Sequence, residues 1–136
     1  MEIKYKNLIV VFISLILIFS GLYMIWNKGS QNSELTEEES LEVARKFVLN
    51  SPTYNFDGQN LTHVETLYPE IANKTNLYTF VFEFKSTHGG YGDRTGEPVT
   101  QVITPHTAHI TVENGEVIKA NLDQKWDMIN QKMIQD

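Results

Sequence analysis

Leu77-Tyr78-Thr79-Phe80-Val81-Phe82-Glu83-Phe84-Lys85 is the stretch that decides the fold. Tyr78, Phe80, Phe82 and Phe84 alternate with Thr79, Val81, Glu83 and Lys85, the two-residue period of a strand with one face against a core. Four aromatic side chains on one face need cover, and they read as hydrophobic core rather than as an aromatic binding face. The cover is a helix over residues 37–50. Thr36-Glu37-Glu38-Glu39 has the pattern of a capping box, in which the Thr hydroxyl accepts from the N3 amide while Glu39 reaches back. The acidic first turn suits the helix dipole. Leu41, Ala44, Phe47 and Val48 then follow at helical spacing as one apolar stripe. Ser51-Pro52 ends the helix, because the residue before proline avoids the α region.

Between helix and strand, residues 52–60 read as a loop with Asp57-Gly58 as a turn signal, and Leu61 to Tyr68 as a further strand. After the aromatic strand, Thr87 to Pro98 (THGGYGDRTGEP) reads as a glycine-dense loop. Val99 to Thr104 is expected as a strand interrupted at Pro105. Pairing residues 77–86 with 99–107 across the loop would set Phe84 against Gln101. Ala108–Glu113 and Glu116–Leu122 flank Asn114-Gly115, the strongest short-range hairpin signal, since a type I′ turn needs positive φ at both positions. This register sets Val112 opposite Val117 and Ile110 opposite Lys119. Trp126, Ile129 and Met133 stand at helical spacing within residues 123–135 and predict a short C-terminal helix. The expected fold class is therefore α+β: a helix packed on a small antiparallel sheet, with a short C-terminal helix.

Residues Leu8 to Trp26 (LIVVFISLILIFSGLYMIW) carry no charge. Nineteen residues at about 1.5 Å each span roughly 28 Å, near the hydrocarbon thickness of a bilayer. The run is longer than a signal-peptide core, lacks a small-residue cleavage pattern, and the chain has no cysteine for lipidation. It reads as an uncleaved transmembrane helix and signal-anchor that contacts the lipid bilayer. Lys4 and Lys6 precede it and an acidic run follows, so the positive-inside bias puts the N-terminus in the cytoplasm and residues 30–136 outside. The expected organisation is a cytoplasmic stub and anchor over 1–29, a stalk over 30–36 and an extracytoplasmic domain over 37–136.

Three of the eleven basic residues and one of the seventeen acidic ones fall in residues 1–29, leaving 16 acidic and 8 basic side chains and a net charge of −8 outside the anchor. That balance argues against nucleic acid and against docking on anionic lipid. The lack of cysteine excludes disulfides, thiol catalysis and Cys-type zinc sites. Asn60-Leu61-Thr62 and Asn73-Lys74-Thr75 have the form of glycosylation sequons, which matter only in a host that glycosylates.

The helix segment EVARKFV (42–48), the aromatic strand and the late strand–turn–strand HITVENGEVIKANLD (109–123) together resemble the layout of small PepSY-like extracytoplasmic domains. The resemblance covers most of residues 37–123 and has no counterpart for the glycine loop. It implies a non-enzymatic binding or peptidase-regulating module. SPTYNFDG, HGGYGDRTG and ITPHTAHITVENG are also similar to segments of membrane-anchored archaeal proteins, a likeness that implies no activity.

The loop supplies the candidate binding residues His88, Tyr91, Asp93 and Arg94. Glycines permit close backbone approach to a ligand, and Arg94, one of two arginines, can grip a carboxylate or phosphate through two bonds. The bland alternative is a long hairpin loop in which Asp93 and Arg94 pair locally. A phosphate loop opens a helix, whereas this one joins strands. His88, His106 and His109 are the alternative candidates, as ligands of copper or zinc in a metal-binding or delivery domain. His106 and His109 differ by three positions and point to opposite faces of a regular strand, unless Pro105 makes a bulge. No GxSxG elbow or carboxylate pair marks a catalytic centre, so no cofactor and no enzyme activity are expected, and an envelope protein or peptide is the expected partner.

Overall fold

A computed structural model describes residues 35–69 and 76–135. The expected span Leu8–Trp26, the sequon at Asn73 and most of the stalk lie outside them. No helix among the described residues is long and apolar enough to cross a membrane.

Helix α1 (Glu37–Leu49) starts as its sequence dictates: the Thr36 hydroxyl accepts from the Glu39 amide and the Glu39 side chain accepts from the Thr36 amide. Residues 52–60, expected as a loop, instead begin with a second helix, α2 (Pro52–Asp57). Ser51 caps it by accepting from the Tyr54 amide, and Pro52 sits at its first turn, where a missing N–H costs nothing. The same Ser-Pro pair that stops α1 therefore starts α2.

Among the described residues six strands follow in chain order as one antiparallel meander: β1 (Gly58–Leu67), β2 (Leu77–His88), β3 (Gln101–Glu113), β4 (Glu116–Leu122), β5 (Trp126–Asp127) and β6 (Lys132–Met133). A helix packed on an antiparallel sheet is thus the observed α+β arrangement. Phe80, Phe82 and Phe84 are buried on one face, with Tyr78 at its margin, as the alternation predicted. Ala44 and Val48 of α1 close over this face. Fully burying each such side chain stabilises the fold by about 1.5–3 kcal/mol.

Register is where sequence and structure part. Phe84 faces His106, not Gln101, and Tyr78 faces Val112. The observed pairing sets Ala108 and Ile110 against Phe82 and Phe80, all fully buried. The expected one would have opposed the phenylalanines with Gln101, Ile103 and Pro105. Burial of the apolar face decides register over loop length. Pro105 does not interrupt β3, which runs unbroken from Gln101 to Glu113. Pairing of β3 with β4 begins only at Ala108, so Pro105 lies on a stretch whose β4 side is open, where a missing donor is tolerated.

The Asn114-Gly115 turn has φ of 50° and 82°, the positive pair the turn type demands. Val112 faces Val117 as expected, but Ile110 faces Ala120 rather than Lys119. A one-residue bulge at Ile118 causes the shift, putting Ala120 and Leu122 into the core while Ile118 and Lys119 stay exposed.

The expected C-terminal helix is absent. Asp123 and Gln124 take left-handed φ values of 56° and 57°, which no helix start accommodates. Trp126 pairs with Leu122 on one side and Met133 on the other. Met128 is the buried side chain here, and Ile129 and Met133 are exposed. The helical spacing of Trp126, Ile129 and Met133 was coincidental.

Candidate functional site

Two aspartates hold the glycine loop, and neither was a sequence candidate. Asp57 ends α2, directly before β1. Its Oδ1 accepts from Arg94 Nη2 at 2.8 Å. Its Oδ2 accepts from the His88 amide at 2.7 Å, the His88 ring Nδ1 at 2.9 Å and the Thr87 hydroxyl at 3.0 Å. Burial works against its charge, but the His88, Thr87 and Ser86 side chains and the His88 amide outweigh it and hold the carboxyl below its usual range. Arg94 is only 4% exposed. Its other amino group donates to the carbonyls of Gly90 and Gly92 at 2.8 and 3.2 Å, and its guanidinium lies 4.5 Å over the Phe56 ring.

Asp123 follows β4 in its left-handed turn. Its Oδ2 accepts from His106 Nδ1 at 2.7 Å and the Tyr91 hydroxyl at 3.1 Å; its Oδ1 accepts from the Thr107 amide at 2.7 Å. That last bond satisfies a β3 donor where β4 has already ended. Burial again opposes the charge, while His106, the Thr107 amide and Tyr91 keep the carboxyl below its ordinary value. Burial, then the Asp123 charge and hydrogen bond, push the Tyr91 hydroxyl up to about 12. The Tyr91 ring stacks on Trp126 at 5.6 Å between centroids. Gly92 completes the attachment: its amide donates to the Thr53 hydroxyl at 2.7 Å, and a Cβ there would stand 3.3 Å from the Trp126 ring.

Of the four candidate binding residues, Arg94 is buried in the fold, His88 is 27% exposed beside Asp57, and Tyr91 is half-buried against Trp126. Asp93 alone is fully presented to solvent. It does not pair with Arg94; its Oδ1 accepts from the Thr95 amide and hydroxyl at 3.0 and 2.6 Å, which lowers its pKa. Thr95, Gly96 and Glu97 are exposed beside it.

The metal candidates do not meet. His88 and His106 bond to different aspartates, and β3 shows no bulge at Pro105. His106 faces the core beside Phe84, and His109 lies on the opposite face in register with Val81 and Asn121. Among the described residues no three His, Cys, Asp or Glu side chains group as metal ligands do. Tyr91, Asp123 and His106 have the connectivity of a proton relay. The distal His106 Nε2 is nevertheless buried without a hydrogen-bond partner, and a general base must reach the proton it takes.

No protein-family model, curated protein or solved structure matches this chain.

Proposed function

We propose that this chain is a single-pass membrane protein, anchored through Leu8–Trp26 with its N-terminus in the cytoplasm, whose α+β domain is a non-enzymatic extracytoplasmic interaction module of PepSY-like layout. The partner is an envelope protein or peptide. The observation that carries the reading is the fixed glycine loop: Asp57 and Thr53 tie it to α2, and Asp123 ties it to the end of β4. A loop already held in one conformation loses little entropy on binding. Its exposed tip, Asp93 together with Thr95 to Glu97, then makes the contact, while Arg94, Tyr91 and His88 serve as the clamps behind it. Two carboxylates on the tip suit a partner with basic side chains.

The test is site-specific photo-crosslinking on intact cells making the full-length chain. A crosslinker at Thr95 is expected to yield a discrete adduct that an identical group at the exposed Glu116 does not. Reversing the tip charges with Asp93→Lys and Glu97→Lys removes the adduct. Equal labelling from both positions, indifferent to charge reversal, would refute the assignment.

A further inference from the structure

We propose that Asn60 is a site of N-linked glycosylation. The proposal rests on the reading that residues 30–136 lie outside the membrane. The triplet Asn60-Leu61-Thr62 has the acceptor pattern, and its place in the fold distinguishes it from a chance match. It coincides with a bulge: Gln59 pairs with Lys85 and Thr62 with Glu83, so Asn60 and Leu61 together oppose Phe84 alone. Asn60 takes φ of 59° at that bulge. Asn60 and Thr62 are exposed, while Leu61 between them packs against the core and pins the segment. Among the described residues the Asn60 side-chain amide has no hydrogen-bond partner; its backbone carbonyl accepts from the Thr62 hydroxyl at 3.4 Å.

The surroundings have room for a sugar. Asn60 and Thr62 stand at a shallow depression of about 370 Å³ that reaches Glu83, Lys85 and Thr107. These polar and charged neighbours can hydrogen-bond sugar hydroxyls. The strand is also the one that gains from cover. Among the described residues β1 is an outermost strand of ten residues, whereas β6 at the other edge has two. Long open edges invite pairing with other chains, and Val64 and Leu67 add exposed apolar surface to this one. A hydrophilic glycan at Asn60, beside the existing bulge, would stand across the approach to that edge.

The step is redox-neutral. A membrane-bound transferase joins Asn60 Nδ2 to the anomeric carbon of a polyisoprenyl-phosphate-linked sugar donor. The carbon–oxygen bond to the lipid phosphate breaks, the lipid phosphate leaves, and the amide proton passes to a base on the transferase.

The experiment uses full-length protein isolated from membranes of the cells that make it. Peptide mass mapping is expected to find the Asn60 peptide heavier by one or more sugar residues. Asn60→Gln and Thr62→Ala abolish the increment, and Thr62→Ser retains it. In parallel, Glu116→Cys in this cysteine-free chain is treated on intact cells with a membrane-impermeant maleimide. Labelling together with an unmodified Asn60 peptide overturns the glycosylation proposal and leaves the topology standing. Absence of labelling until the membrane is broken overturns both.

Discussion

Replacing Arg94 with methionine tests the loop clamp most directly. Arg94 and Asp57 side chains are 4% and 9% exposed and meet at 2.8 Å, so water screens the pair weakly. Breaking a buried ion pair by removing one partner costs roughly 3–5 kcal/mol when the other is left bare. Asp57 is not left bare, because three donors remain on its other oxygen. The loss is then one bond to a charged group, about 1.5–3 kcal/mol, together with the donors to the Gly90 and Gly92 carbonyls. Methionine retains much of the packing on Phe56. We expect about 3 kcal/mol overall, which for a domain near 100 residues lowers Tm by roughly 12–24 °C. Arg94→Lys fares little better, since one ammonium cannot reproduce a planar fork serving a carboxylate and two carbonyls. The assay is urea and thermal unfolding of the full-length protein in detergent, on Asp57→Asn, Arg94→Met and the double variant. A coupling of about 1.5–3 kcal/mol is expected from the cycle. If Arg94→Met costs under about 1 kcal/mol, or the two changes simply add, the pair does not hold the loop.

Acid behaviour follows from the same groups. Asp57 and Asp123 have folded pKa values below their unfolded ones, so their stabilisation is complete above the ordinary carboxylate value and is lost as pH falls through the lowered values. Tm measured from pH 6 to 2 should fall less steeply in Asp57→Asn and Asp123→Asn than in the wild type; parallel acid limbs would remove both groups from the account. At the alkaline end Tyr91 has the opposite sign: its hydroxyl, raised to about 12, contributes stability below pH 10 that is lost as pH climbs toward 12. Ultraviolet titration should show a tyrosine ionising near that value, absent in Tyr91→Phe and shifted down in Asp123→Asn. Gly92→Ala places a side chain at φ of 76° against the Trp126 ring; we expect a loss of about 1–2 kcal/mol from the backbone alone, with a shift in tryptophan emission, and unchanged emission would mean that the loop does not lie on Trp126.

What the sequence revealed, it revealed where one local rule acts without competition. The capping box at Thr36, the aromatic alternation of β2 and the paired positive φ of Asn114-Gly115 are each set by residues within six positions of one another. What stayed hidden is set across the sheet. The spacing of Val117, Ala120 and Leu122 carried a sign of the bulge, because a regular strand cannot turn positions 117, 120 and 122 to one face. The β2–β3 register was readable only by asking which pairing buries Ile110 and Val112. The candidate loop is legible from its glycines, but its anchoring is not: local spacing offers Asp93 as the partner of Arg94, whereas the fold supplies Asp57. Arg94 offered a clue, since a lone guanidinium among glycines has to find a carboxylate when buried. Many acidic residues competed for that role, and Asp57 was read only as part of a turn. Asp123 was concealed by the apparent helix after it. Both aspartates sit where an element ends, α2 in one case and β4 in the other, and both spend their charge on backbone amides as well as side chains. Junctions of this kind join pieces distant in sequence, so periodicity carries no trace of them, and they explain why the loop can be rich in glycine and still have one shape.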